Sequence, residues 1–340
     1  MPVPAISLVA CGMVTSVGLD APASTAAMRC GVSNATQTPF IDWGGEPILA
    51  HQVPLEAASA RQKLFTMAAM AIEECLARGG AGTQPAAAVL LGVAEPQRPG
   101  RCEGVDDGAL EAIAKLLGRR FAPCSRVLAG GRVAGALALH HARELLARGE
   151  AQAVVVAGTD SLVNWSTLSG YEAQSRVLTS QQSNGFIPGE AAGAVLVTLA
   201  RDAGGVQCLG LGAASEASTV SSGEPLRGQA LAEALRRAAG EAGWAPEDVG
   251  LQVGDMSGEQ YFFSEAALAR ARLARRASDD IDVWHPAEWV GEVGAAIGPI
   301  VFGAAMTALR KGYSGSARIA CHFSGECGQR AAAMLGEPAP

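Results

Sequence analysis

The chain has 340 residues, 49% of them hydrophobic and only 17% charged, with 42 glycines, a composition that excludes a disordered chain. At roughly 100–200 residues per domain the length suggests about two domains. A net charge of −7, no basic block and 5% aromatic residues argue against nucleic acid or an anionic membrane surface as partners. An acidic carrier protein would need a local basic patch.

From the N-terminus, residues 5–11 form a β-type run ending at Gly12; with no basic segment ahead of it, it reads as a strand and not a signal peptide. Residues 60–78 carry Leu64, Met67, Ala71, Cys75 and Arg78 at helical spacing, and Gly79-Gly80 stops the helix. Residues 87–93 are apolar without alternation, as expected of a strand buried on both faces. An exposed loop is expected over 95–107, a short helix over 108–117 and a long one over 133–148, stopped by Gly149. A strand at 153–157 leads into a long polar loop, and another strand follows at 194–199.

Asp202 to Gly205 reads as a linker, dividing the chain into halves 1–201 and 202–340. The second half repeats the rhythm. Strands are expected at 206–211, 249–253 and 318–322, the last of the pattern, and helices at 230–242, 264–275 and 294–310. Such alternation predicts parallel-rich sheets with helices on both faces. No stretch is long and apolar enough to span a membrane.

Eight cysteines (Cys11, Cys30, Cys75, Cys102, Cys124, Cys208, Cys321, Cys327) occur without a CxxC pair, which points to small buried side chains in a reducing, cytoplasmic compartment and to no metal site. Neither a P-loop nor GxGxxG is present, so no nucleotide or other cofactor is expected. His140 and His141 fall in mid-helix, and Ser180, Ser183 and Ser324 read as loop serines.

The sharpest local signal is Gly185-Phe186-Ile187-Pro188-Gly189-Glu190-Ala191-Ala192-Gly193, running into a strand. Glycines there permit close backbone approach or positive φ, and a Glu among small residues must be paired or bonded to backbone donors. The stretch is consistent with a tight structural turn. It also resembles the "GEGAG" strand of β-ketoacyl synthases. Residues 6–18 resemble that family's opening strand and turn, 136–160 its helix, "RG" break and "GG-x-D" strand, 292–311 the helix after a catalytic histidine, and 323–335 its closing turn and strand.

The resemblance implies a thiolase fold, five layers αβαβα in two similar halves, commonly dimeric. It also implies acyl transfer through a cysteine at a helix N-terminus, with two His, or His and Asn, stabilising the oxyanion. Counting back from Gly149 places the nucleophile's position at Arg132, in Ala129-Gly130-Gly131-Arg132. The first histidine position falls on Met256 or Ser257, and the second on Glu292 in one register or Gly291 in the other. No condensing activity is therefore expected. Arg132 and Glu292 are expected to form a bidentate ion pair filling the site; alternatively Arg132 turns to solvent or to backbone carbonyls.

Three functions compete. One is a non-catalytic accessory, scaffold or partner-binding protein, a homodimer or a heterodimer with a related subunit, of the kind that accompanies bacterial type VI secretion effectors. The second is an acyltransferase or thioesterase with a relocated nucleophile, Cys124 or Cys327. The third is a binder of acyl groups or of an acyl carrier.

Overall fold

The computed structural model describes residues 4–80, 87–200, 205–274 and 281–337. β1 (Ile6–Val14) runs through Gly12 and is followed by α1 (Ala21–Arg29) and a separate hairpin, β2 (Thr36–Ile41) and β3 (Pro47–Ala50). Next come α2 (Ala60–Arg78), β4 (Ala88–Val93), α3 (Ala109–Leu117), β5 (Arg126–Ala129), α4 (Ala134–Ala147), β6 (Val154–Ser161), α5 (Trp165–Glu172) and β7 (Glu190–Leu199). The remainder is β8 (Val206–Ser215), α6 (Gln229–Ala242), β9 (Leu251–Gly254), α7 (Gln260–Leu273), β10 (Asp282–Trp284), α8 (Ala287–Val290), α9 (Ile297–Arg310), β11 (Arg318–Ser324) and β12 (Gln329–Gly336).

Ten strands form one sheet in the order β10-β9-β11-β12-β8-β1-β7-β6-β4-β5. Read outward from its centre, the sheet repeats itself. β1-β7-β6-β4-β5 and β8-β12-β11-β9-β10 have the same order of use along the chain and the same sequence of two antiparallel and then two parallel pairings. The halves are thus mixed, not parallel-rich as the alternation suggested. They join where Ile6, Ser7 and Leu8 pair with Cys208, Gln207 and Val206.

α4 and α9 contact strands of both half-sheets, and one apolar cluster runs from β1, β4, β6 and β7 through these helices to β8, β9, β11 and β12. α2 and α3 cover the outer face of the first half-sheet, and α6 and α7 that of the second. The result is the αβαβα layering expected of a thiolase fold. α2 is capped by Ser59, whose hydroxyl accepts the Gln62 N–H, and it spans the expected residues.

The two central helices begin alike. Each follows a turn of 3-10 helix, Gly131–Val133 before α4 and Gly294–Ala296 before α9, that opens on a glycine with φ near +50° (53° and 50°). Four residues on, the helices touch: a Cβ on Gly135 would lie 2.8 Å from the Cα of Gly298, and one on Gly298 equally 2.8 Å from the Cα of Gly135.

Several expectations are corrected. Arg318–Ser324 is not the last strand, because β12 follows; its Ala331-Ala332-Ala333 run is buried but lacks β-branched residues. The polar segment after β6 contains α5, capped by Asn164. The loop at 95–107 sends Arg98 and Val105 into the interior. The linker expected at Asp202 to Gly205 lies, except for Gly205, outside the described residues, as does the end of the helix expected at 264–275.

Candidate functional site

The carboxyl ends of the parallel strands from both halves meet at one place, the usual location of a site in α/β sheets. Arg132 arrives from the turn after β5, Asp255 and Ser257 from the end of β9, Glu292 from between α8 and α9, and Ser324 to Cys327 from the end of β11. Gly131 must be glycine here: a Cβ would fall 2.0 Å from Glu95 Oε2 and φ is positive. It therefore directs Arg132 inward at the start of α4.

Arg132 is buried, its guanidinium 4.1 Å from the centre of the Phe262 ring. Its Nε donates to Asp255 Oδ2 at 3.1 Å and its Nη2 to the Asp255 carbonyl at 2.5 Å. Nη1 lies 3.6 Å from Glu292 Oε2 but is hydrogen-bonded to nothing. Glu292 instead accepts the Ser257 hydroxyl at 2.5 Å and the Gly294 N–H at 2.9 Å. The expected pairing of Arg132 with Glu292 is therefore an ion pair but not a bidentate one. The fork is turned by Asp255, whose carboxylate is itself fixed by the Ser324 N–H at 2.8 Å.

Further buried pairs surround it. Arg98 grips Asp160 through two bonds of 2.7 and 2.6 Å. Arg176 binds Glu259 at 2.7 and 3.0 Å and Glu326 at 2.8 Å, and the Tyr171 hydroxyl donates to Glu326 as well. Arg330 and the Ser324 hydroxyl both bind Glu265. Burial disfavours the charge on Arg132, but Asp255 and Glu292 outweigh it and raise its pKa above the usual arginine value. Burial pushes Asp255 up, with Arg132 and the Ser324 N–H pulling it back. A carboxylate beside the helix start repels an oxyanion, and a guanidinium that stays protonated cannot attack a thioester.

The geometry separates the alternatives. Ser257 reaches the charged cluster, whereas Met256 lays its sulfur over Gly254. Glu292 carries its carboxylate inward, whereas Gly291 is a turn residue with φ +79° lying against His51. A cavity of about 140 Å³ remains beside Arg132, lined by Glu95, Gly130, Gly325, Glu326 and Cys327. Among the described residues no group of His, Cys, Asp and Glu is disposed to hold a metal ion, and no helix is long and apolar enough to cross a membrane.

Comparison with known proteins agrees with this architecture. The profile of the β-ketoacyl synthase N-terminal domain family matches residues 133–203, starting one residue after Arg132. No curated protein matches in sequence. Among solved structures, a chain of a type II PKS acyl-carrier protein in complex with its ketosynthase superposes with a TM-score of 0.83 at 16% identity, covering 99% of this chain and 100% of that one. The ishigamide ketosynthase/chain length factor gives 0.78 at 17% identity over 99% and 100%. A β-ketoacyl synthase from Burkholderia phymatum gives 0.75 at 15% identity over 99% and 100%.

The fold is that of the ketosynthases.

Within this ketosynthase fold the glycine–glutamate motif is structural. Glu190 Oε1 accepts the Val53 N–H at 2.9 Å and the Lys63 ammonium at 2.5 Å, and Oε2 accepts the Ser161 hydroxyl at 3.1 Å. Gly185, Gly189 and Gly193 serve close approach and not positive φ; a Cβ on Gly189 would lie 2.4 Å from the Val290 carbonyl oxygen.

The two cysteines considered as nucleophiles part company. Cys124 lies at the far end of α4, its Sγ against the Glu150 carbonyl. With 14 residues, α4 separates it from Arg132 by ~21 Å of helix. Cys327 does face the cavity, but burial and the Glu95 and Glu326 carboxylates push its thiol up, away from the thiolate. His140 and His141 are exposed on α4 beside Glu144. Ser324 is no loop serine but the buried end of β11.

Sequence reasoning missed Asp255, Glu95, Arg98 and Arg176, whereas Glu326 was noted beside Cys327 at the closing turn. Asp255 stood in the very stretch compared with the family, and an acid directly after a buried strand was its signal. Glu95 has a testable signature. Burial, helped by Glu326 and Asp160 and opposed by Arg98, pushes its carboxyl up to about 7. A raised carboxyl contributes stability below its unfolded value of 4.5 that is lost as pH rises through 7. The share of stability that Glu95 itself contributes, read from urea unfolding, should therefore fall between pH 5 and 8 by about 2 kcal/mol, discounted for the partly exposed side chain. Glu95→Gln should flatten that fall.

Proposed function

We propose that this chain is a non-condensing ketosynthase-like protein that works by binding a partner. The observation that carries the reading is the buried Arg132 guanidinium at the start of α4, held by Asp255 with Glu292 alongside. That arrangement fills with compensated charge the place where a condensing enzyme needs a thiolate and oxyanion donors. The partner is a second copy, a related subunit or an acyl carrier. Solved structures of this fold include a ketosynthase in complex with its chain length factor, from Xenorhabdus doucetiae, and a ketosynthase with its acyl-carrier protein, which supports pairing as the mode of action. The reading places the protein in the bacterial cytoplasm, in the company of type VI secretion effectors, with units 1–201 and 202–340 as the two thiolase-like halves.

A second reading keeps an acyl-transfer step on Cys327, favoured by that thiol's place on the cavity beside Arg132. One experiment decides. Incubation with an acyl-CoA or a cysteine-directed acyl probe, followed by intact mass, should give no stoichiometric acyl adduct, while pull-down from the native organism should return a stoichiometric protein partner. A single acylated cysteine at full occupancy would overturn the proposal and assign the enzyme.

A further inference from the structure

A second cavity shares no lining residue with the one beside Arg132. It measures about 320 Å³ and opens among the end of α1, the edge strand β10, α8 and α9. Two of the chain's five tryptophans and one of its three tyrosines line it: Trp284, Trp289 and Tyr313. Trp284 and Tyr313 stack at 27° with ring centres 6.1 Å apart, and all three rings are only partly buried. Aromatic rings held rigid and left half open offer π-faces to a planar ligand.

Several polar groups at this cavity lack a hydrogen-bond partner. Arg29, exposed at the end of α1, has its guanidinium 5.0 Å from the centre of the Tyr313 ring and no carboxylate partner among the described residues. The indole N–H groups of Trp284 and Trp289 have no acceptor among the described residues either. His285 Nδ1 is buried without a hydrogen bond. The one acid at the rim, Glu288, is turned to His285, 3.3 Å from that nitrogen. Aromatic walls, several free donors and an unpaired cation form the complement of a flat, apolar body bearing a carboxylate. The cavity's volume falls at the lower end of the range typical of small-molecule sites.

We propose that this cavity is a binding site for a small planar aromatic carboxylate, stacked against Trp284, Trp289 and Tyr313 with its anion at Arg29. The site stands apart from the Arg132 cluster, so it holds whether or not the reading above does.

The test uses 2-naphthoate and its neutral counterpart 2-naphthamide, titrated calorimetrically into the full chain. The acid should bind one-to-one and about tenfold more tightly than the amide, the size of one charge-assisted hydrogen bond. Arg29→Gln, a surface change with little risk to folding, should weaken the acid about tenfold and leave the amide unchanged. Ala304→Phe, which fills the cavity from α9, should abolish binding of both. Absence of saturable binding to the wild type at millimolar acid would overturn the proposal, as would equal affinity for acid and amide, or acid binding untouched by Arg29→Gln.

Discussion

Replacing Arg132 with methionine should cost about 3–5 kcal/mol of folding stability, although the substitution removes a charge from the interior and leaves an apolar side chain beside Phe262 in place of the guanidinium. The cost falls on what is left behind. Asp255 would keep the Ser324 N–H but lose its cation, and Glu292 would keep only Ser257 and the Gly294 N–H. Two carboxylates would then be buried side by side without compensation. If that is the cause, neutralising them should restore stability: Arg132→Met with Asp255→Asn and Glu292→Gln should recover most of the loss, because amides keep the hydrogen-bond acceptors without the charge. Denaturant unfolding of the single and triple variants measures both. A single variant within about 1 kcal/mol of the wild type would mean that the cluster relaxes or takes up protons freely.

Acid should unfold the protein through its histidines before its carboxylates. His322 is buried on β11 with neither ring nitrogen hydrogen-bonded; burial, with the Arg132 charge in support, lowers its pKa to about 4. His51 is fully buried, with Nδ1 3.4 Å from Ser16 Oγ and Nε2 unbonded, and burial lowers it to about 4 as well. Both are neutral when folded. In the unfolded chain they take up protons below 6.5, so stability present above that pH is lost as pH falls from 6.5 toward 4. Each histidine accounts for about 3 kcal/mol across this window, and two together match the net stability of many domains. Glu95 acts in the opposite sense over pH 4.5–7 and offsets part of the decline. His322→Leu should remove close to half of the acid-side fall in the urea midpoint; an unchanged slope would show that the imidazole has found a partner or a proton in the fold.

What the sequence revealed and what it hid follow from the range of the interactions involved. α2 was legible to the residue because apolar spacing and a Gly-Gly stop both act within a few positions. β4 was legible because burial on both faces leaves an unbroken apolar run. Arg132 and Glu292 could be singled out because they interrupt familiar local patterns. Their true arrangement could not, since Asp255 reaches Arg132 across 123 positions and Glu259 reaches Arg176 across 83. Such pairs are set by how the two half-sheets close on one another, and no local periodicity encodes that. β12 was weakly marked for a different reason: its small alanines fit a crowded sheet without the branched side chains that usually announce a strand.

The bare contact of Gly135 with Gly298 sits where the paired central helices cross. Because neither residue has a side chain, the two halves meet there backbone to backbone, and a single added methyl on either one must displace both. The frame around that pivot repeats its topology and its helix starts, yet its occupants differ: the position after the opening glycine is Arg132 in one copy and Ala295 in the other. The duplicated scaffold thus repeats its backbone while its charges arrive by different routes: Arg132 follows the opening glycine of one turn, whereas the buried Arg98 reaches the opening glycine of the other from the loop after β4, its Nη1 3.0 Å from where a Cβ on Gly294 would stand.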